Sequence, residues 1–211
     1  HQDELFRLAQ EFSEPYDSGV NVRLQGVALW GSSVHLYSNG ERERADAVWR
    51  HIEELADRTK DPFLRIFLLS QQITLKFKAG LLEEAVEDVD RLVAGSEEMG
   101  MPVFGLQFAV EAGFRPLLYL GRIEEALAAL PLAGQLAGIE QGPPGALHII
   151  CFAHMGRLAE AKEAFRHVME RQERRIAAKQ AETYELRTLL VAAVLLEERE
   201  AASIIAEQLD G

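Results

Sequence analysis

Apolar residues along this chain return every three or four positions. Ala45, Trp49 and Ile52 fall on one helical face, as do Ala85, Val89 and Leu92, and then Ala161, Phe165 and Val168. Spacing of that kind marks amphipathic helices. Period-two alternation is almost absent, and strong helix formers (Ala, Leu, Glu, Arg) dominate. The pattern predicts an all-α fold.

The helical faces are punctuated by a recurring phrase, a Gly, four mixed residues and an Ala. It reads Gly40-Glu-Arg-Glu-Arg-Ala45, Gly80-Leu-Leu-Glu-Glu-Ala85, Gly121-Arg-Ile-Glu-Glu-Ala126 and Gly156-Arg-Leu-Ala-Glu-Ala161. A fifth copy, Leu196-Glu-Glu-Arg-Glu-Ala201, lacks the Gly. The alanines stand 40, 41, 35 and 40 residues apart, and a fixed period of this size signals a repeat architecture. Gly supplies the left-handed residue that ends one helix. The glutamates that follow sit in the first turn of the next helix, where its dipole favours negative charge. Ala lets two helices approach closely. An apolar helix precedes each phrase, near Asn21–Ser38, Pro62–Lys78, Val103–Leu120, Pro144–Met155 and Ala181–Leu196. The prediction is five helix pairs in a single repeat domain over 21–211, with units near 21–56, 62–95, 103–138, 144–178 and 181–210. A short helix over Glu4–Phe12 and a connector containing Pro15 and Gly19 fill residues 1–20. Asp61-Pro62 and Met101-Pro102 mark helix starts, Gly142-Pro143-Pro144-Gly145 marks a break, and Pro131 is expected to kink or end its helix.

Composition narrows the function classes. The chain has 211 residues, with 48% apolar and 27% charged residues, too apolar for a disordered segment. With 34 acids against 22 bases its net charge is -12, which argues against direct binding to nucleic acid. The longest apolar run, Leu189–Leu196, is far too short to span a bilayer. One cysteine, Cys151, cannot close a bridge within the chain and fits a reducing cytoplasm. The start, His1-Gln2-Asp3-Glu4, lacks the basic and apolar segments of a signal peptide. Because it is not Met, the chain is read as a piece of a longer protein.

The segments Gly121–Ala126 and Gly156–Ala161 resemble the turn between the two helices of a tetratricopeptide repeat (TPR). The first-helix positions of that family depart from its pattern, reading Leu69, Gln72 and Ile73 in the second unit and Gly145, His148 and Ile149 in the fourth. The period near 40 also exceeds the family's usual length. The resemblance implies a right-handed α-α superhelix, a divergent TPR-like solenoid. Phrases such as Ala56-Asp57-Arg58-Thr59-Lys60-Asp61-Pro62 are similar to the C-terminal sensor regions of bacterial LuxR-type activators of the maltose-regulator kind, and of cyclase–ATPase fusions. In those proteins the repeats receive a signal and control transcription or another output. The chain has no Gly-rich phosphate loop and no recognisable DNA-binding helix pair, so such parts are expected outside it.

In a superhelix of this type the first helix of each pair lines a concave groove. Counting back from each Gly places Trp30, Val34 and Tyr37 there in the first unit, and Phe67, Ser70, Thr74 and Lys78 in the second. Phe108, Glu111, Arg115 and Tyr119 follow in the third, and Ile150 and His154 in the fourth. Aromatic walls with a few polar groups suit ligand binding, and the Arg115 guanidinium suits a carboxylate or phosphate. Packing between repeats is the competing role for these aromatics.

Three other clusters invite chemistry. Glu83, Glu84, Glu87, Asp88 and Asp90 lack the spacing of a calcium loop and read as a solvated helix face. His148, Cys151, His154 and Met155 could hold a metal or a thiol nucleophile, but their apolar neighbours Ile149, Ile150 and Phe152 favour packing. Arg171, Arg174, Arg175 and Lys179 concentrate basic charge within 121–180, where 8 bases meet 7 acids, and read as a solvated face. The sequence therefore predicts a non-enzymatic sensor or scaffold domain with no cofactor. It binds a protein, a peptide or a small-molecule effector, without membrane contact, and could form a homodimer through exposed end repeats such as the Ile204, Ile205 and Leu209 face. The alternative is a small-molecule or cofactor-handling enzyme with its site near His148, Cys151, His154 and Arg115.

Overall fold

A computed structural model describes residues 7–8, 11, 21–136, 145–177 and 183–209. Apart from Arg7, Leu8 and Glu11, which are helical, the N-terminal helix and its connector lie outside the described residues, as does most of the Gly142–Gly145 break.

The described chain is all helix. In order the helices are α1 (Val22–Ser38), α2 (Arg42–Thr59), α3 (Pro62–Lys78), α4 (Leu82–Glu98) and α5 (Pro102–Tyr119). They continue as α6 (Ile123–Leu136), α7 (Ala146–His154), α8 (Leu158–Ala177), α9 (Thr183–Leu195) and α10 (Arg199–Leu209). Asn21 and Asp61 cap α1 and α3, their side chains accepting from the amides of Arg23 and Phe63, both at 2.9 Å. Pro62 holds the first helical position of α3, where its missing N–H costs nothing. Pro131 does not end α6, which loses one amide donor there and runs on to Leu136.

One turn geometry recurs. Gly40, Gly80, Gly100, Gly121 and Gly156 all have φ between 71° and 80°. After each, the next amide donates back to a carbonyl in the helix just ended, as in Glu41 to Leu36 (2.9 Å), Leu81 to Lys76 (3.0 Å) and Arg157 to Phe152 (2.9 Å). This closes the orphan carbonyls of the helix end. A sixth turn keeps the geometry without glycine. Glu197 takes φ 59°, and the Glu198 amide donates to Ala193 at 2.9 Å. The left-handed residue, not the repeat alanine, fixes the register, so the equivalent alanine is Ala202 rather than Ala201. The other four repeat alanines, Ala45, Ala85, Ala126 and Ala161, are at most 1% exposed and let the paired helices close on one another. The Gly-Arg phrase adds a surface clamp. Arg122 donates to both carboxylate oxygens of Glu125, and Arg157 to both of Glu160, at 2.5–2.7 Å.

The chain divides into two compact units, His1–Pro116 and Leu117–Gly211. The division falls in α5 at Pro116, a residue that cannot donate to the helix ladder. In the first unit α1 packs on α2 and α3 on α4, with further contacts from α2 and α1 to α3. Leu36, Ile52, Leu64, Ile66, Ile73 and Leu92 are fully buried there, each stabilising by roughly 1.5–3 kcal/mol relative to exposure. The α4 and α5 backbones meet at Gly105, where an added Cβ would lie 2.0 Å from Ser96 Cβ. In the second unit α7 packs on α8, α9 on α10, and α7 also touches α6 and α9. Its buried residues include Ile149, Cys151, Leu189, Ala192, Ala193 and Ile205. No described helix is long and apolar enough to cross a membrane.

Candidate functional site

The first helices of the first three pairs carry an aromatic cluster within the N-terminal unit. Trp30 on α1 stacks on Phe67 of α3, with centroids 5.5 Å apart and an interplanar angle of 9°. Phe108 on α5 meets Phe67 edge-on at 5.2 Å and Trp30 at 6.3 Å. Phe63 stacks on Phe104 at 4.4 Å, and Phe104 contacts Phe108 at 4.7 Å. Helical spacing explains the set. Phe63 and Phe67 are four residues apart, as are Phe104 and Phe108, so each pair projects from one face. Stacked and edge-to-face rings at these distances are the preferred aromatic geometries.

Beside this cluster lies a cavity of about 300 Å³. From α1 it is lined by Trp30, Ser33, Val34 and Tyr37, and from α2 by Trp49. From α3 come Ser70, Gln71, Thr74 and Lys78, and from α5 Phe108, Glu111 and Ala112. The hydroxyls of Ser33, Ser70 and Thr74 donate to carbonyls of their own helices, at 2.7, 2.9 and 3.1 Å. They offer the cavity acceptor lone pairs only. Two nitrogens of the lining residues are closed off from solvent. Trp49 is 8% exposed, and its Nε1 is buried with no hydrogen-bond partner among the described residues. Gln71 Nε2 is buried and unpartnered in the same sense. Buried donors of this kind are rare in folded proteins.

Charge is sparse around the cavity. Lys78 Nζ sits 4.4 Å from the centroid of the Tyr37 ring, a cation–π contact, and pairs with no carboxylate among the described residues. The Tyr37 hydroxyl donates to the Asp46 carboxylate. Burial first, and that carboxylate second, push the Tyr37 phenol up to about 12. Glu111 keeps an exposed surface, yet the surrounding protein desolvates it and raises its carboxyl above the usual range, against an opposing hydrogen bond with Gln107.

Of the residues assigned to the groove from sequence, Trp30, Val34, Tyr37, Ser70, Thr74, Lys78, Phe108 and Glu111 line this one cavity. Phe67 stands behind the lining at 2% exposure, stacked on Trp30. Arg115 is exposed and outside the lining. Tyr119 (70% exposed) and His154 (exposed) belong to the second unit, and Ile150 is buried in that unit's core. Sequence reasoning missed Ser33, Trp49, Gln71 and Ala112. Trp49 follows repeat alanine Ala45 and looked like core alone. Gln71 carried a signal, as a polar residue one place after Ser70 on an inward-facing helix.

The other clusters are less suited to chemistry. Cys151 is fully buried, and burial pushes its thiol up to about 11. That removes thiolate character. Burial also lowers His148, whose Nδ1 accepts from the Gly145 amide at 3.3 Å and so serves the start of α7. Asp88 departs from the solvated face expected of the acidic stretch. It is 8% exposed and bridges Lys76 (2.6 Å) and Arg91 (2.5 Å). No group of three metal-binding side chains occurs among the described residues. In the basic stretch Arg171 is exposed, while Lys179 and the side chains of Arg174 and Arg175 lie outside the described residues.

The second unit has a wider groove of about 910 Å³ between α8 and α10. Phe165, Met169, Ala201 and Ile204 give it an apolar floor. The Lys162–Glu198 ion pair (3.5 Å) spans its rim, and Arg166 pairs with Glu170 within α8 (3.4 Å). No family model, curated protein or solved structure matches this chain.

Proposed function

We propose that this chain is a non-enzymatic sensor domain that holds a small-molecule effector in the cavity of its N-terminal unit. The observation that carries this reading is convergence. Four helices bring two tryptophans, a phenylalanine, a tyrosine and one lysine to a single 300 Å³ space, a size and lining suited to a small ligand. The repeated glycine turn and helix pairing support the further reading that the pairs stack as a TPR-like, right-handed superhelix. In that reading the domain belongs to a larger cytoplasmic regulatory protein of bacteria, and effector binding alters the stacking of helix pairs that an output domain senses. The protonated, buried state of Cys151 supports the non-enzymatic reading over a thiol-based enzyme.

The test is a panel of small aromatic compounds screened by ligand-observed NMR against the whole chain and a Thr74→Trp variant, whose indole fills the cavity. Compounds are expected to bind the natural chain and to lose binding in the variant. Equal binding to both proteins, or no binding to either, refutes the assignment.

A further inference from the structure

The groove of the second unit has an open floor and a rim of one dominant sign. Among the described residues α7 packs on α8, α9 on α10 and α7 on α9, whereas α8 and α10 do not pack on each other. The groove of about 910 Å³ lies between them. Ile204 on its floor is 43% exposed, and Met169, a side chain able to adapt to a partner's shape, is half-buried. The lining holds four acids, Glu163, Glu170, Glu198 and Glu200, against the two bases Lys162 and Arg166. Both bases are engaged, by Glu198 and Glu170. Glu163 and Glu200 are exposed and form no ion pair among the described residues. Next to Glu198 stands Glu197, also exposed, in a left-handed backbone that glycine takes at five equivalent turns. That turn thus keeps a further carboxylate beside the groove, although glycine would hold the same backbone without strain.

We infer that this groove docks a basic amphipathic helix of a partner protein. The partner's apolar stripe covers Met169, Ala201 and Ile204, and its flanking lysines or arginines face Glu163, Glu200 and Glu197. A helix suits the groove better than an extended segment. Extended peptides bind by main-chain hydrogen bonds to a free sheet edge, and the described residues are all helix. A helix laid between two others uses side chains alone, with anchors at i, i+3 or i+4, and i+7. The 11 residues of α10 give it roughly 16 Å of wall, enough for two turns of partner helix and more. An acidic helix would meet like charge. A purely apolar one would desolvate the free carboxylates without pairing them. The site lies in the second unit and does not depend on the effector cavity of the first.

The experiment uses two fluorescein-labelled helical peptides of about 14 residues, roughly 21 Å long. Both carry the same leucine stripe, one with lysine and the other with glutamate at its polar positions. Fluorescence anisotropy follows their binding to the whole chain. The lysine peptide is expected to bind about tenfold tighter than the glutamate peptide at low salt and to weaken as salt is added. Ile204→Asp, at a side chain already open to solvent, should keep its helix content by circular dichroism and lose the lysine peptide. Glu163→Lys combined with Glu200→Lys, both at exposed positions, should reverse the preference towards the glutamate peptide. That double variant keeps the test open if Ile204→Asp does not fold. Undiminished binding to Ile204→Asp would mean general attraction to a chain of net charge -12 and overturn the groove assignment. So would an unchanged preference in the double variant, equal binding of the two peptides, or no binding of either.

Discussion

The contact between Gly105 and Ser96 makes a sharp test of the packing of the N-terminal unit. Replacing Gly105 with Ala puts a methyl 2.0 Å from both Cβ and Oγ of Ser96 and 3.5 Å from its Cα. Ser96 is fully buried, and its hydroxyl is committed to the Val93 carbonyl at 2.7 Å, so rotation of the side chain cannot clear Cβ. The α4 and α5 backbones must part by more than an ångström, roughly, to restore ordinary contact. Overpacking of this kind costs about 1–3 kcal/mol, and the geometry points to the upper end. The gain from Gly to Ala in a helix returns about 1 kcal/mol, leaving a net loss near 2 kcal/mol. Gly31 on α1 is the control. A Cβ there meets nothing within 4 Å, so Gly31→Ala should gain about 0.5–1 kcal/mol. Urea unfolding followed by tryptophan fluorescence measures both, because Trp30 and Trp49 both belong to this unit. Adding Ser96→Gly to Gly105→Ala moves the methyl's space to the other helix. The pair should recover at least about 1 kcal/mol beyond the sum of the single changes. Equal stability of the two alanine variants, or strict additivity of the pair, refutes the close-approach argument.

Glu197 pays for a left-handed turn that glycine takes freely at five equivalent places. Glu197→Gly should therefore raise stability by about 1 kcal/mol, seen as a higher melting temperature of the whole chain. Asp88→Ala strips a buried carboxylate from Lys76 and Arg91 and should cost about 1–3 kcal/mol in urea. Replacing Lys76 and Asp88 together by Met and Leu should cost less than Asp88→Ala alone. At alkaline pH the sign is set by Cys151 and Tyr37, whose protons are held in the folded state to about 11 and about 12 against ordinary values of 9.0 and 10.0. The folded state then binds more protons than the unfolded chain above pH about 9, so stability should fall as pH rises through that window. Cys151→Ala should remove the earlier part of the decline, and an unchanged pH profile would contradict the burial argument.

Much of this architecture was readable from residues. The glycine phrases placed the turns because a left-handed backbone has a chemical signature, and Asp61-Pro62 placed a helix start for the same kind of reason. The last turn was misplaced by one residue because Glu197 adopts that backbone without the signature. Pro131 did not end its helix, since a helix can surrender one amide bond and continue. Within the cavity, α1, α3 and α5 were legible because helical periodicity carries Trp30, Tyr37, Lys78 and Phe108 to one face. Trp49 was not, because periodicity assigns a residue to a buried face without saying whether its nitrogen finds an acceptor. Asp88 was lost in an acidic run for a similar reason. Its burial depends on Lys76, which lies a helix away.

The aromatic cluster also bears on how the N-terminal unit comes apart. Its rings lie on α1, α3 and α5, the first helices of three successive pairs, and each touches rings on at least one other helix. A row of hairpins joined only to immediate neighbours can fray one hairpin at a time from its end. Here, lifting α1 away strips Trp30 from both Phe67 and Phe108, and a loss at one end is felt two pairs along. Slow amide protons in α1, α3 and α5 should then share a single opening free energy and behave as one cooperative block under hydrogen exchange.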